Sequence, residues 1–168
     1  MALKSTIFKA QLQIADMDRR LYADHALTLA RHPSETDERL MMRVLAFALH
    51  VPADDRRGQL VMAKGLSDSD EPDLWQKDLT GALVQWIEVG QPDERRMLRA
   101  CGRAETVTVI AYGSSTPLWW SPMAGRLART DNLAVWQVPN VQSSALAALA
   151  QRTMQLQFTV QDAMVWVS

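Results

Sequence analysis

Residues 3–14 alternate cleanly. Phe8, Ala10, Leu12 and Ile14 share one face, and Lys9, Gln11 and Gln13 share the other. A period of two describes a half-buried strand. After a charged turn at 16–20, the alternation resumes in Leu21, Ala23, His25, Leu27 and Leu29. Residues 3–30 therefore predict an antiparallel hairpin with a loop longer than two residues. The period then changes. Leu40, Met41, Val44, Leu45 and Ala48 recur at helical spacing, which predicts a helix with one buried stripe. Ser34 is its expected N-cap, and Glu35, Asp37 and Glu38 fill the first turn, where the helix dipole favours negative charge. Pro52 stops it.

The pattern is weaker over 54–82. Residues 59–63 predict a short strand, and 67–73 form a loop rich in Asp and Glu. A sharper strand follows at 83–89, with a turn at Gly90. Pro92 suits the first position of a helix running to about Cys101 or Ala104. Residues 105–112 are β-branched and strand-like. A short helix is expected over 116–121, cut by Pro122, then a strand at 133–138 and an Ala/Leu-rich helix at 141–151. Residues 153–167 predict two strands turning near Gln161 and Asp162. Strand, helix, strand, helix, strand in the middle argues for an α/β (α+β) fold with partly parallel pairing. Its expected form is a mixed β-sheet flanked by helices, to which two terminal hairpins add antiparallel strands.

The chain has 168 residues, 48% of them hydrophobic and 22% charged. That is enough for one domain with a real core, spanning 1–168, and the composition is not that of a disordered chain. Eighteen basic residues against 19 acidic give a net charge of -1, which excludes attachment to nucleic acid by bulk charge but not a local basic face. A single cysteine, Cys101, excludes an internal disulfide and a Cys-based zinc site. The opening residues lack the apolar run of a signal peptide. The charge-free stretches 106–125 and 132–151 are broken by Pro, Ser, Gly or Asn. A cytoplasmic protein without a membrane span is expected, a monomer rather than an oligomer.

Much common chemistry is missing. There is no GxxxxGK[ST], no GxG and no GxSxG, so phosphate loops, Rossmann fingerprints and nucleophile elbows are excluded. His25, His32 and His50 lack metal-ligand spacing.

Three carboxylates stand out instead. Glu38 lies at the edge of the helical stripe. Asp73 follows Pro72 at the end of the acidic loop. Glu88 shares a strand face with Val84 and Trp86. A carboxylate on a covered strand must be paired, protonated or bound to metal. If Glu88 lies at a strand end it is instead solvated, and Glu38 and Asp73 have equally ordinary readings as a helix-end charge and a loop charge. Carboxyl ends of strands are nevertheless where sites form in open α/β sheets. Pro72-Asp73, then 14 residues, then Glu88-Val89-Gly90 has the written form of the PD-(D/E)XK nuclease motif except at its lysine. Such a pair offers oxygen ligands to Mg²⁺.

Longer segments carry more. Residues 31–36 (RHPSET), 70–75 (DEPDLW) and 86–96 (WIEVGQPDERR) together resemble the YaeQ family of bacterial proteins. So do the opening 1–10 and the stretches 152–157 and 165–167. The resemblance covers essentially the whole chain, with the poorest fit at 52–60 and 114–130, and implies members that run somewhat past this C-terminus. It implies a compact variant of the restriction-endonuclease-like fold. It also implies a site at Glu38, Asp73 and Glu88, with Mg²⁺ (or Mn²⁺) as cofactor and nucleic acid, DNA or RNA, as partner.

Gly90 stands where that motif has lysine. Replacement charge has several sources. Arg96, Arg99 and Arg103 form a basic stripe at i, i+3 and i+7, able to clamp phosphate but not to act as a base. Arg96 is the member grouped with the carboxylates as a catalytic candidate; Lys64 and Lys77 flank the acidic loop. Trp119 and Trp120 are candidates for base stacking, while Trp86, Trp136 and Trp166 are expected in the core. Three classes stay open: a metal-dependent nuclease, a nucleic-acid- or protein-binding module that has lost hydrolysis, and a protein whose carboxylates are purely structural.

Overall fold

A computed structural model describes residues 4–168. Leu3, the first residue of the predicted opening strand, lies outside the described residues.

The alternating segments form β1 (Thr6–Asp16) and β2 (Leu21–Arg31), joined by a four-residue turn. The helical stripe forms α1 (Asp37–His50). Then come β3 (Leu60–Met62), β4 (Leu74–Lys77), β5 (Leu83–Val89), α2 (Glu94–Arg103) and β6 (Ala104–Tyr112). The chain continues through α3 (Thr116–Trp120), α4 (Ala124–Leu127), β7 (Leu133–Val138), α5 (Asn140–Ala147), β8 (Thr153–Gln161) and β9 (Met164–Val167).

The strands make two sheets. One has the order β2-β1-β8-β9, the other β3-β4-β5-β6-β7. The terminal hairpins therefore do not extend the central sheet as expected. They join each other, β1 running parallel to β8. In the second sheet β3, β4 and β5 are antiparallel, while β5, β6 and β7 are parallel. Strand β4 was not foreseen, because four residues behind an acidic loop show too little alternation to register.

Helix α1 lies between the sheets. Its residues from Leu40 to Ala48 are all buried, Met42, Ala46 and Phe47 as well as the predicted stripe. One core unites α1 with the inner faces of β1, β2 and β8 and with Leu74, Ile87, Val89 and Ile110 of the second sheet. The other face of that sheet is covered by α2, α3 and α4. Trp86 and Val107 pack there with Ala100, and Val109 packs with Met97, Met123 and Leu127.

Three local expectations are corrected. Thr36, not Ser34, caps α1 by accepting the Arg39 N–H, while Ser34 Oγ bonds the His32 ring. Asp93 caps α2, so Pro92 stands before the helix rather than in its first position. Trp136 and Trp166 are 58% and 51% exposed rather than core residues, because each lies on the edge strand of its sheet. No helix among the described residues is long and apolar enough to cross a membrane.

Candidate functional site

The carboxyl ends of β5 and β6 lie side by side, with Val89 opposite Ile110. Antiparallel pairing brings the start of β4 to the same place, with Leu74 opposite Ile87. Asp73, Glu88 and Tyr112 thus reach one end of the second sheet from three strands. The first turns of α1 and α2 arrive there too.

Asp73 is 3% exposed. Its Oδ2 accepts the Val89 N–H at 2.8 Å, and its Oδ1 accepts from Arg39 Nη2 at 2.6 Å. Its backbone N–H donates to Ile87 O and its carbonyl accepts from Ala63. The carboxylate ties the sheet end together as well as carrying charge. Gly65 serves this packing. It has φ +51°, and a Cβ there would stand 2.6 Å from Asp73 Oδ1, so a side chain would displace the carboxylate.

Arg39 continues inward. Its Nη1 donates to Glu35 Oε2 at 2.8 Å. Glu35 also takes Arg43 Nη2 on Oε1 at 2.6 Å and Arg43 Nε on Oε2 at 2.9 Å. Burial opposes the charge on Arg39, but Asp73 and Glu35 hold its guanidinium above the ordinary value. Glu35, Arg39 and Arg43 stand at i, i+4 and i+8, a spacing legible in the sequence. What makes them a buried network is the enclosure of α1 on both sides.

Glu88 is 4% exposed. Its Oε1 accepts from Arg96 Nε, and its Oε2 is buried with no hydrogen-bond partner. Burial pushes its carboxyl above the usual range; Arg96 pulls the other way and the Asp73 charge adds to the rise. Trp86 Nε1, two residues back on the same face, is also buried without a partner, although it lies near enough to favour the charged form of Glu88 slightly.

The remaining candidates divide. Arg96 reaches the site. Glu38 is half-buried on α1 and takes no part in the Glu35–Arg39–Asp73 network. Its charge, with those of Arg39, Glu35 and Asp73, acts on the Tyr112 phenol, which burial pushes above its ordinary value. The sequence reading missed Tyr112, Glu35 and Arg39. Among the described residues no three His, Cys, Asp or Glu side chains are grouped to hold a metal ion. Asp73 and Glu88 are brought together; Glu38 does not complete a triplet with them.

Neither lysine candidate replaces the motif lysine. Lys64 Nζ stands 3.9 Å from Glu71 Oε2, and Lys77 Nζ lies 3.9 Å from the centre of the Trp75 ring. Gly90 itself takes φ +104°, a conformation that disfavours lysine. The positive charge beside the carboxylates belongs to Arg39 and Arg96.

The family profile for YaeQ protein matches residues 1–168. The chain belongs to the YaeQ family. It is 46% identical to the uncharacterised protein YaeQ of Salmonella typhi and 43% identical to that of Escherichia coli K12. Each alignment covers 100% of this chain and 91% of the relative. The crystal structure of the YaeQ protein from Xanthomonas axonopodis pv. citri is similar at a TM-score of 0.91 and 50% identity, covering 98% of this chain and 90% of that one. The Pseudomonas syringae YaeQ structure gives 0.86 and 35% identity, covering 97% and 88%. At these identities the YaeQ likeness reaches the whole arrangement of two sheets around α1.

Proposed function

We propose that this member of the YaeQ family is a metal-dependent nuclease with a restriction-endonuclease-like core, acting on phosphodiester bonds at the carboxyl ends of β5 and β6. One observation carries the reading. Glu88 keeps a carboxylate oxygen buried and unpartnered beside Asp73. A bare acceptor there is costly unless it is protonated or something binds it.

A hard cation would reach Glu88 and Asp73 only once Arg96 yields its hold on Glu88 Oε1 and Arg39 its hold on Asp73 Oδ1. Glu88 and Asp73 would hold Mg²⁺ or Mn²⁺. When bound, such a cation supplies charge for a phosphate oxygen and lowers the proton affinity of a water. The rest falls to the chain. Arg39 and Arg96 offer guanidinium N–H groups to phosphate oxygens. Asp73, fixed by the Val89 N–H, keeps its geometry while Arg39 moves. Arg95 and Arg99 are exposed on α2 and add positive charge to the helix that carries Arg96.

The reading is tested by incubating wild type and Glu88→Ala with labelled single- and double-stranded DNA and RNA, in Mg²⁺, Mn²⁺ or chelator. Metal-dependent cleavage by wild type alone is expected. Equal cleavage by both would remove Glu88 from the mechanism.

A second reading, a nucleic-acid-binding module without hydrolysis, has Gly90 in its favour, since neither arginine can act as a general base. It predicts binding that weakens steeply with salt and no cleavage under any of these conditions.

A further inference from the structure

A sheet edge offers unpaired backbone N–H and C=O groups, and folded chains protect their edges by shortness, charge or cover. The two sheets have four edges, β2, β9, β3 and β7. β3 is three residues long and β9 four. β2 is long but carries Asp24 and Arg31. β7 has six residues, Leu133 to Val138, with no charge, glycine or proline among them. Ala134, Trp136 and Gln137 along it are exposed. The bonding phase of this strand is set. The Val107 N–H donates to Asn132 O at 2.8 Å. Asn132 therefore faces β6, and so do Ala134 and Trp136, because backbone groups alternate along a strand. Leu133, Val135 and Gln137 turn theirs to the open side. Among the described residues no other strand or turn bonds those groups.

We propose that β7 is the contact between two copies of this chain, paired antiparallel about a two-fold axis so that two five-stranded sheets run on as one. The sequence alone led to the expectation of a monomer, because an open edge is invisible until the strand order is known. A second copy is the occupant because the edge is complementary to itself. It has no charge to repel its own image, and a contact of like with like closes at two. A polyanion or a charged peptide would find no counter-charge on it. Pro139 fixes the register. It has no N–H, so a pairing that sets it opposite Leu133 loses bonds. Centring on Val135 pairs that residue with its own image and Leu133 with Gln137 of the partner subunit, so all three outward residues bond. The same register lays Trp136 against Ala134 of the partner subunit on the exposed face, a large side chain on a small one. One short strand pair buries little area, at the low end for specific interfaces, so pairing on the order of micromolar is expected. Antiparallel pairing points the carboxyl ends of β5 and β6 in the two copies in opposite directions. Each candidate site stays separate, and the inference does not rest on the nuclease reading.

The test is sedimentation equilibrium of the full chain from low micromolar to near-millimolar concentration, on proteins first shown by circular dichroism to be folded. Wild type should pass from one chain to two. Trp136→Lys puts a charge on the edge. Gln137→Pro removes an N–H that points to the open side, where the fold of the single chain does not use it. Each should weaken pairing on the order of tenfold or more. Trp166→Lys, on β9, should pair as wild type does. Amide exchange read by NMR adds the register. Raising the concentration should slow exchange at Leu133, Val135 and Gln137 and leave Ala134 and Trp136, already turned to β6, as they were. A wild type that stays single at the highest concentration overturns the proposal. So does pairing that survives both β7 substitutions, or that Trp166→Lys abolishes. Assemblies that grow beyond two would mean β7 joining β9 head to tail, and overturn the closed pair. Should Gln137→Pro not fold, Trp136→Lys and the exchange pattern decide the question.

Discussion

The two ends of α1 handle charge in different ways. At its N-terminal end the helix carries Arg39 and Arg43 into the interior, and each is neutralised by an acid outside the helix, Glu35 or Asp73. At its C-terminal end the last carbonyls are met by a side chain from the β1–β2 turn. Arg19 donates to Ala48 O at 3.0 Å and Val51 O at 2.8 Å while pairing with Asp16 at 2.6 Å. Burial works against the Asp16 charge, but Arg19 holds its carboxyl below the usual range. His50, in the same turn, shares a hydrogen bond with Ala46 O through Nδ1. Both ends are built from arginines and acids. Only the first points its charge at the carboxyl ends of the parallel strands β5 and β6, beside a carboxylate with an unpartnered oxygen. The difference teaches that buried ion pairs alone do not mark a site; the unpartnered acceptor is what sets the first end apart.

The largest effect should come from Glu35→Ala. It strands Arg43 and removes half the pairing of Arg39. Loss of one partner from a buried pair costs about 3–5 kcal/mol, which urea denaturation would read directly. Glu35→Leu combined with Arg43→Met should recover most of that loss, because an apolar pair of similar volume is tolerated. If the single variant costs as little as a surface pair, the N-terminal network is not buried in solution, and the contrast between the two ends disappears.

Arg19→Ala comes next. It leaves Asp16 buried without its partner and two helix carbonyls without their donor. Arg19 is itself one-third exposed at its side chain, so water can replace part of what it does. A loss of about 2 kcal/mol is expected, with no change in Mn²⁺ affinity, since nothing at this end faces Glu88. A change in Mn²⁺ affinity would mean that the ends communicate through α1.

Gly90→Ala probes the sheet end without touching a charge. A Cβ there meets nothing within 4 Å, so the cost is backbone strain alone, about 1–2 kcal/mol. A larger loss would show that the turn after Glu88 positions the carboxylate as well as ending the strand.

Much of this frame was legible in the chain. β1, β2, β5, β7, β8 and β9 read correctly because one or both faces of each carry a sustained apolar pattern. The site was legible in part. Asp73 and Glu88 were singled out, and Arg96 with them. Their adjacency depends on β4 pairing antiparallel with β5, and β4 is too short to announce itself. Glu35 reads as a first-turn acid and Arg39 carries no signal of its own, because nothing local says that α1 is enclosed on both sides. Trp136 and Trp166 were misplaced for a related reason. Their strands lie at sheet edges, and an edge is a property of topology, not of alternation.

The smallest effect lies at the C-terminal end of α1 and is read as a slope. Burial holds the His50 imidazole below its ordinary value of 6.5; the nearby Arg19 charge adds to this and the bond to Ala46 opposes it. In the unfolded chain His50 takes up its proton near 6.5, and in the folded chain only at lower pH. Between those points the unfolded state binds more protons, so stability rises with pH through the window and falls as pH drops from 6.5 toward the folded value. Above 6.5 this contribution is fully present. Replacing His50 with Gln keeps a hydrogen-bonding group for Ala46 O and removes the proton. The urea midpoints of wild type and His50→Gln should therefore run parallel above 6.5 and converge or cross below it. Parallel lines throughout would mean that His50 is solvated in the folded state, and that the C-terminal end of α1 is more open than its arginine-capped carbonyls indicate.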